Sequence, residues 1–421
     1  MRQLPRNRTV VIGASLHALL VVLYIAQTVL DRTAEAQSQG AAQAPRFEVD
    51  PLWPKPLPNH WVLGQTIGVW VDSDDHIWIV HRSSATLADQ EKGIEKKTAE
   101  LCCAGAPPVL EFDQAGNLLR HWGGQVAGAQ YEWPDGNHGI FIDHKGNVWI
   151  GGNGGPDSHI LKFTKDGKFL LQIGKKGARR KAGAAAGNQE GQVAGFVGGS
   201  NDNMNFGRVA KIFVDAKANE AYVADGYLNK RVAVLDADTG KMKRWWGAYG
   251  NKPDDTPLPA YDPSKPPAKQ FYNPVHCADM SNDRFLYVCD RVGDRLQVFT
   301  PEGKFVKEAW FAKNTKGSGA VWDVAFSKDA AQKYIYMADG MNDIVRIVDR
   351  QTLKELTTFG DGGRQPGQFY GVHSIATDSK GNIYTTETWE GKRLQKFVFK
   401  GMGPVSKPHQ GVIWPGSNAT R

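Results

Sequence analysis

A chain of 421 residues with 47 Gly, 13 Trp, 12 Tyr and 18 Phe can bury a large core, and no long amphipathic helical pattern follows residue 40. That excludes a helical bundle and points to many short strands joined by tight turns. The formal charge of +7 is well mixed apart from two short basic runs, which argues against a nucleic-acid partner.

The first run, Arg2, Arg6 and Arg8, precedes an apolar stretch from Val10 to Leu30 and a small-residue exit at Ala34-Glu35-Ala36. Together they have the form of a secretory signal cleaved near Ala36. The apolar stretch is also long enough to span a bilayer as an uncleaved anchor, the only membrane association expected. Either way residues 1–40 form a leader and residues 41–421 a single body that faces the periplasm or the exterior.

Along that body one unit recurs: an apolar strand, an Asp-x-x-Gly-Asn type of turn, and an aromatic-rich strand. Copies begin at Ile67 (IGVWVDSDDHIWIVHR), His138 (HGIFIDHKGNVWIGGN), Ala210 (AKIFVDAKANEAYVADGY), His276 (HCADMSNDRFLYVCDR), Trp322 (WDVAFSKDAAQKYIYMADGM) and His373 (HSIATDSKGNIYTTET). A second hairpin follows most of them, as in VLEFDQAGNLLRHWGG and VRIVDRQTLKELTTFG. Two hairpins make a four-stranded blade, so the chain is expected to be all-β, a six-bladed β-propeller of the NHL type. Two insertions interrupt it, at about 175–208 and 250–270. The first is rich in Gly, Ala and Lys, the second in Pro, and both are expected to be mobile loops.

An exported chain permits disulfides. Cys277 and Cys289 flank one predicted hairpin and suit a bridge. Adjacent Cys102 and Cys103 fit either a vicinal bridge or two thiols, and neither pair is read as catalytic.

Each blade's first strand lines the central channel of a propeller. When the copies are aligned on their turns, the fifth position upstream reads Ile67, His138, Ala210, His276, Trp322 and His373. Histidine occupies every second blade, and alternate blades of a six-fold ring stand about 120° apart, so three imidazoles converge on the axis. Three nitrogens with an open fourth position suit a catalytic Zn²⁺. The remaining histidines fall in the leader, turns, surface strands or tail and read as structural. The ends of the second strands open onto the same face, and there stand Arg82, Asn153, Gly226 with Tyr227, Arg291, Gly340 with Met341, and Thr388. Arg82 and Arg291 can hold a carboxylate, and Tyr227, beside a cation, can act as a base.

These residues, with the segments IWIVHR, WPDGNHGIFID, ADGYLNKRV, VCDRVGDRLQVF and VHSIATD around them, resemble the peptidyl-α-hydroxyglycine α-amidating lyase family of propellers. The resemblance implies a zinc held by His138, His276 and His373, a tyrosinate base at Tyr227, and carboxylate contacts from Arg82 and Arg291. It implies cleavage of a carbinolamide at its carbon–nitrogen bond to an amide and glyoxylate. A small-molecule or peptide substrate bearing a carboxylate follows, and N-acyl and N-carbamoyl carbinols fall in the same class. It also implies a structural Ca²⁺ on the backbone carbonyls of Val69 and Ile140 and on an Asp after the last zinc histidine, where this chain has Ser374. Where the family carries a cysteine after its tyrosine, this chain has Leu228. Two other readings compete: a metal-dependent lactonase or esterase on the same architecture, and a non-enzymatic exported scaffold whose histidines carry no metal.

Overall fold

A computed structural model describes residues 42–178 and 199–416. Six four-stranded sheets are arranged as blades, and each recurring sequence unit supplies the two inner strands of one blade. The inner strands are Thr66–Val71, Asn137–Ile142, Val209–Asp215, Val275–Met280, Asp323–Phe326 and Val372–Thr377. Second strands are buried on both faces, as at Ile77–His81, whereas outer strands such as Leu118–Trp122 alternate between half-buried and exposed. That gradient is the burial expected from channel to rim.

The recurring turn holds for a local reason. Asp143 Oδ1 accepts the backbone N–H groups of Lys145 and Asn147 (2.9 and 2.8 Å), and Oδ2 accepts the indole N–H of Trp149 at 2.9 Å. Asp72 repeats the pattern with Trp78, and Asp378 with Tyr384. The carboxylate thus closes the turn and ties it to the first large side chain of the next strand. In later blades a second device appears: an acid ending the second strand meets an arginine on the third. Asp225 pairs with Arg231 (2.8 Å), Asp290 with Arg295 (2.7 Å), Asp339 with Arg346, and Glu387 with Arg393 (2.7 Å).

Six apolar clusters lie between neighbouring blades, one at each interface. Trp78 of the first blade and Val148, Ile150 and Phe163 of the second share one of them. Truncating such a buried tryptophan to alanine costs about 3–5 kcal/mol.

Closure is made by a strand that no repeat announces. Gln43–Asp50 pairs antiparallel with Leu394–Pro404 and becomes the outermost strand of the last blade. The start of the body is thereby locked to its end, and no long sheet edge is left open at the seam. The tail covers the same region, with Val49 N–H donating to Ile413 O and Gly360 N–H to Gly411 O, both at 2.9 Å.

Several expectations need correction. The segment 250–270 is tied down: Asp255 accepts from Ser200 N at 2.7 Å, Lys230 Nζ reaches Thr256 O at 2.7 Å, and Tyr261 donates to Lys313 O at 2.9 Å. Of the insertion at 175–208, residues 179–198 lie outside the described residues, and its last part packs into the body. His81 and His159 are wholly buried rather than at the surface, although both make structural hydrogen bonds. The cysteines need no correction: the expected Cys277–Cys289 disulfide forms, with Cα atoms 4.8 Å apart, and of the two options for Cys102 and Cys103 the bridge is present. The leader lies outside the described residues, and no helix among those described is long and apolar enough to cross a membrane.

Candidate metal centre at the mouth of the channel

His138, His276 and His373 meet as the alternation of blades requires. Their ring centroids are 5.2, 4.8 and 4.9 Å apart, and their candidate ligating atoms all lie within 4.8 Å of one another. Each ring is fixed from behind by the next blade. His138 Nδ1 lies 2.6 Å from Ala210 O, His276 Nδ1 the same distance from Trp322 O, and His373 Nδ1 the same distance from Ile67 O. A carbonyl only accepts, so every Nδ1 carries the proton and every Nε2 keeps its lone pair. The carbonyls belong to the non-histidine members of the same sequence column.

These groups turn toward the axis because the inner strands are bulged there. Ladder register shifts at Thr66/Gly68, His138/Ile140, Val209/Lys211, Val275/Cys277 and Val372/Ile375. A bulged residue leaves the ladder, which re-aims its side chain and releases its carbonyl for another donor. Gly139 sits in such a bulge at φ +68°, where an added Cβ would stand 2.5 Å from Ala210 O. Only glycine leaves that carbonyl in place for His138.

Electrostatics favours neutral rings. Burial holds His138 and His276 far below the usual imidazole range, reinforced at both by neighbouring imidazoles and Arg291 and at His138 also by Arg82. His373 is pushed down to about 3, chiefly by burial and then by Arg291 and Arg82. Three unprotonated imidazoles with their lone pairs on one point form a donor set suited to a borderline-soft cation such as zinc.

Tyr227 closes over this point. Its hydroxyl lies 2.9 Å from His138 Nε2 and 3.0 Å from His276 Nε2, with Arg291 Nη1 at 3.3 Å. Gly226, just before it, packs against Val275, whose carbonyl oxygen would lie 2.1 Å from an added Cβ. That contact sets the depth of the tyrosine loop. The Arg291 guanidinium stacks 4.5 Å above the Trp322 ring. Arg82 is braced by Gln65 Oε1 at 2.9 Å and Asn153 Oδ1 at 2.6 Å.

Arg82, Tyr227, Arg291, His373 and Thr388 line one cavity of about 230 Å³. Met341 does not join them and is 40% exposed. Arg208 and Trp389 line the cavity too, and sequence reasoning missed both. Arg208 ends the first insertion and was absorbed into a loop; its one legible signal is that it immediately precedes the Val209–Asp215 channel strand.

The residues present fit poorly with the Ca²⁺ that the resemblance implies. A second cavity, lined by the three histidines together with Ile140, Lys211, Asp323 and Ser374, measures about 10 Å³, no more than one water's share of probe space. The Lys211 ammonium is buried there between Asp279 and Asp323, and Ser374 donates its hydroxyl to Asp323 at 2.6 Å. An ammonium held between the two carboxylates leaves them little charge for a Ca²⁺ near Val69 and Ile140, and Ser374 stands in place of the implied Asp.

Fold and site together define a six-bladed β-propeller with a buried three-histidine candidate metal group at one end of its channel. The chain is similar to a probable peptidyl-alpha-hydroxyglycine alpha-amidating lyase of Caenorhabditis elegans, at 23% identity over 241 residues, 56% of this chain and 56% of that protein. It therefore spans little more than half of that relative. Among solved structures it is similar to a streptogramin B lyase (13% identity, 85% of this chain and 98% of the other, TM-score 0.46). Another is the virginiamycin B lyase of Staphylococcus aureus (12%, 88% and 94%, TM-score 0.43). No protein-family profile matches the chain.

Proposed function

We propose that this chain is a zinc-dependent carbon–nitrogen lyase that cleaves a small, carboxylate-bearing carbinolamide of the α-hydroxyglycine type to an amide and glyoxylate. The observation that carries the reading is the position of the Tyr227 hydroxyl, 2.9 and 3.0 Å from two of three imidazole nitrogens that share one point. The similarity to a relative named as an amidating lyase supports the coarser statement of a lyase-like enzyme.

Held by His138, His276 and His373, the metal would supply Lewis-acid polarisation of the substrate hydroxyl. In this reading Tyr227 accepts the hydroxyl proton. The electron pair left on oxygen forms the second bond of the aldehyde carbonyl, the carbon–nitrogen pair departs with nitrogen, and nitrogen takes the proton back from Tyr227, so protons and electrons balance. Arg82 and Arg291 grip the carboxylate and orient the breaking bond, each charge-assisted hydrogen bond contributing about 1.5–3 kcal/mol. Arg208 adds a third guanidinium to the same cavity. A place of work outside the cytoplasm is part of the proposal, supported by the leader-like residues 1–40 and by the Cys277–Cys289 bridge.

Glyoxylate release from an α-hydroxyglycine model compound tests the reaction. The native chain is expected to release it, and Tyr227→Phe is expected to lose about 10²–10⁴-fold in kcat while retaining its metal. If the native chain releases none, the lyase reading is wrong even where the metal site is right.

A further inference from the structure

Below the histidines lies a buried charge cluster that the lyase reading does not use. Lys211 follows Ala210, Asp323 follows Trp322 and Ser374 follows His373, so each neighbours a metal-ligand candidate or a carbonyl that holds one. Lys211 Nζ stands 2.5 Å from Asp323 Oδ1 and 3.0 Å from Asp279 Oδ2. Asp323 is further held by Ser374 Oγ at 2.6 Å and by the backbone N–H of Ile375 at 3.1 Å. All four side chains are buried. The cluster joins four consecutive blades across the axis.

The charge count is informative. One ammonium faces two carboxylates, and burial with the nearby Asp323 holds the Asp279 carboxyl above the usual carboxylate range, so a proton can take up the second negative charge. Removing the ammonium would leave two carboxylates and a hydroxyl confined in a narrow channel. That is an all-oxygen donor set of the kind hard divalent cations take. Cys277 lies in the same group but is bonded to Cys289 and offers no thiolate.

We propose that Lys211 is a built-in channel cation: its ammonium links Asp279 and Asp323 across the blades as a divalent ion would, and makes the native chain independent of one. The inference rests on the channel geometry and not on the lyase reading, and its test reads stability rather than turnover.

The full chain and its Lys211→Met variant would be melted with calcium and with a calcium chelator, and calcium binding followed by calorimetric titration. The native chain is expected to show the same midpoint in both conditions. Lys211→Met in chelator is expected to melt roughly 5–10 °C lower, as breaking a buried ion pair does in a chain of this size, and calcium should restore most of the loss. The double variant Lys211→Met, Asp279→Asn should lose that rescue, because one carboxylate no longer supplies the ligand charge. If Lys211→Met accumulates unfolded, refolding from denaturant with and without calcium reads the same quantity. A calcium-dependent midpoint in the native chain overturns the proposal, as does a variant whose stability or recovery is indifferent to calcium.

Discussion

At the scale of residues, the histidines divide by what their two nitrogens do. The three channel rings donate from Nδ1 and leave Nε2 to the axis, whereas His81 uses both nitrogens internally. Its Nδ1 accepts from Gly64 and Ser83, both at 3.1 Å, and its Nε2 reaches Pro107 O at 2.9 Å. Burial holds His81 down to about 4, and protonating it would break both accepted bonds. An unfolded imidazole titrates near pH 6.5, so between that value and about 4 the unfolded chain binds more protons than the folded one. The stability contributed by a neutral His81 is therefore complete above pH 6.5 and is lost as pH falls through that window. The urea midpoint of metal-free protein should decline steadily from pH 7 to 4, and His81→Gln should flatten part of the slope. A midpoint that stays level across the range would contradict the burial argument. Arg208 teaches the opposite lesson about legibility. Beyond its place just before a channel strand, nothing marks it out from a loop arginine, because its role depends on how the insertion at 175–208 returns to the ring.

At the scale of elements, the six hairpins were readable because each repeats a turn opened by Asp, or by Ser in the fourth and fifth copies, with an aromatic after it, and the histidine column was readable because it precedes that turn at constant spacing. The bulges were not readable. A one-residue change of register leaves no compositional mark when the strand is apolar on both faces. Yet the bulges shape the site, since they release the carbonyls of Ile67 and Ala210 to His373 and His138, while Trp322 O, just before its strand, serves His276. The segment VCDRVGDRLQVF shows a similar limit: Asp290 and Arg295 form a buried structural pair, while Arg291 beside them lines the cavity. The column at the ends of the second strands picks out Arg291, but nothing in the sequence announces the pairing of Arg295 with Asp290. Gly139→Ala tests the bulge directly. The new methyl group must displace Ala210 O and with it the hydrogen bond that fixes His138, so metal affinity should fall about 10–100-fold, the usual effect of losing an outer-shell partner. Near-UV circular dichroism should stay native. Unchanged metal affinity in a folded variant would show that the carbonyl does not position the ring.

At the scale of the whole molecule, the count of blades was legible, but the way the ring closes was not. The strand Gln43–Asp50 stands alone in sequence, without a hairpin partner, and its place in the last blade is decided by pairing with Leu394–Pro404. Closure matters to the site because the inner strand of that blade, Val372–Thr377, carries His373, so a seam that slipped would move one ligand candidate relative to the other two. The Pro-rich segment 250–270 was misjudged for a related reason: its anchors, Ser200 and Lys230, come from distant parts of the chain. The ring thus brings imidazoles from three separate blades to one point, and the most direct test is elemental analysis of the purified full-length protein. About one zinc per chain is expected, as for a three-histidine site, and it should disappear when His138, His276 and His373 are all replaced by alanine while the β-sheet signal persists. Metal at background level in the native protein, or the same zinc content in the triple variant, would contradict a metal centre at the channel mouth.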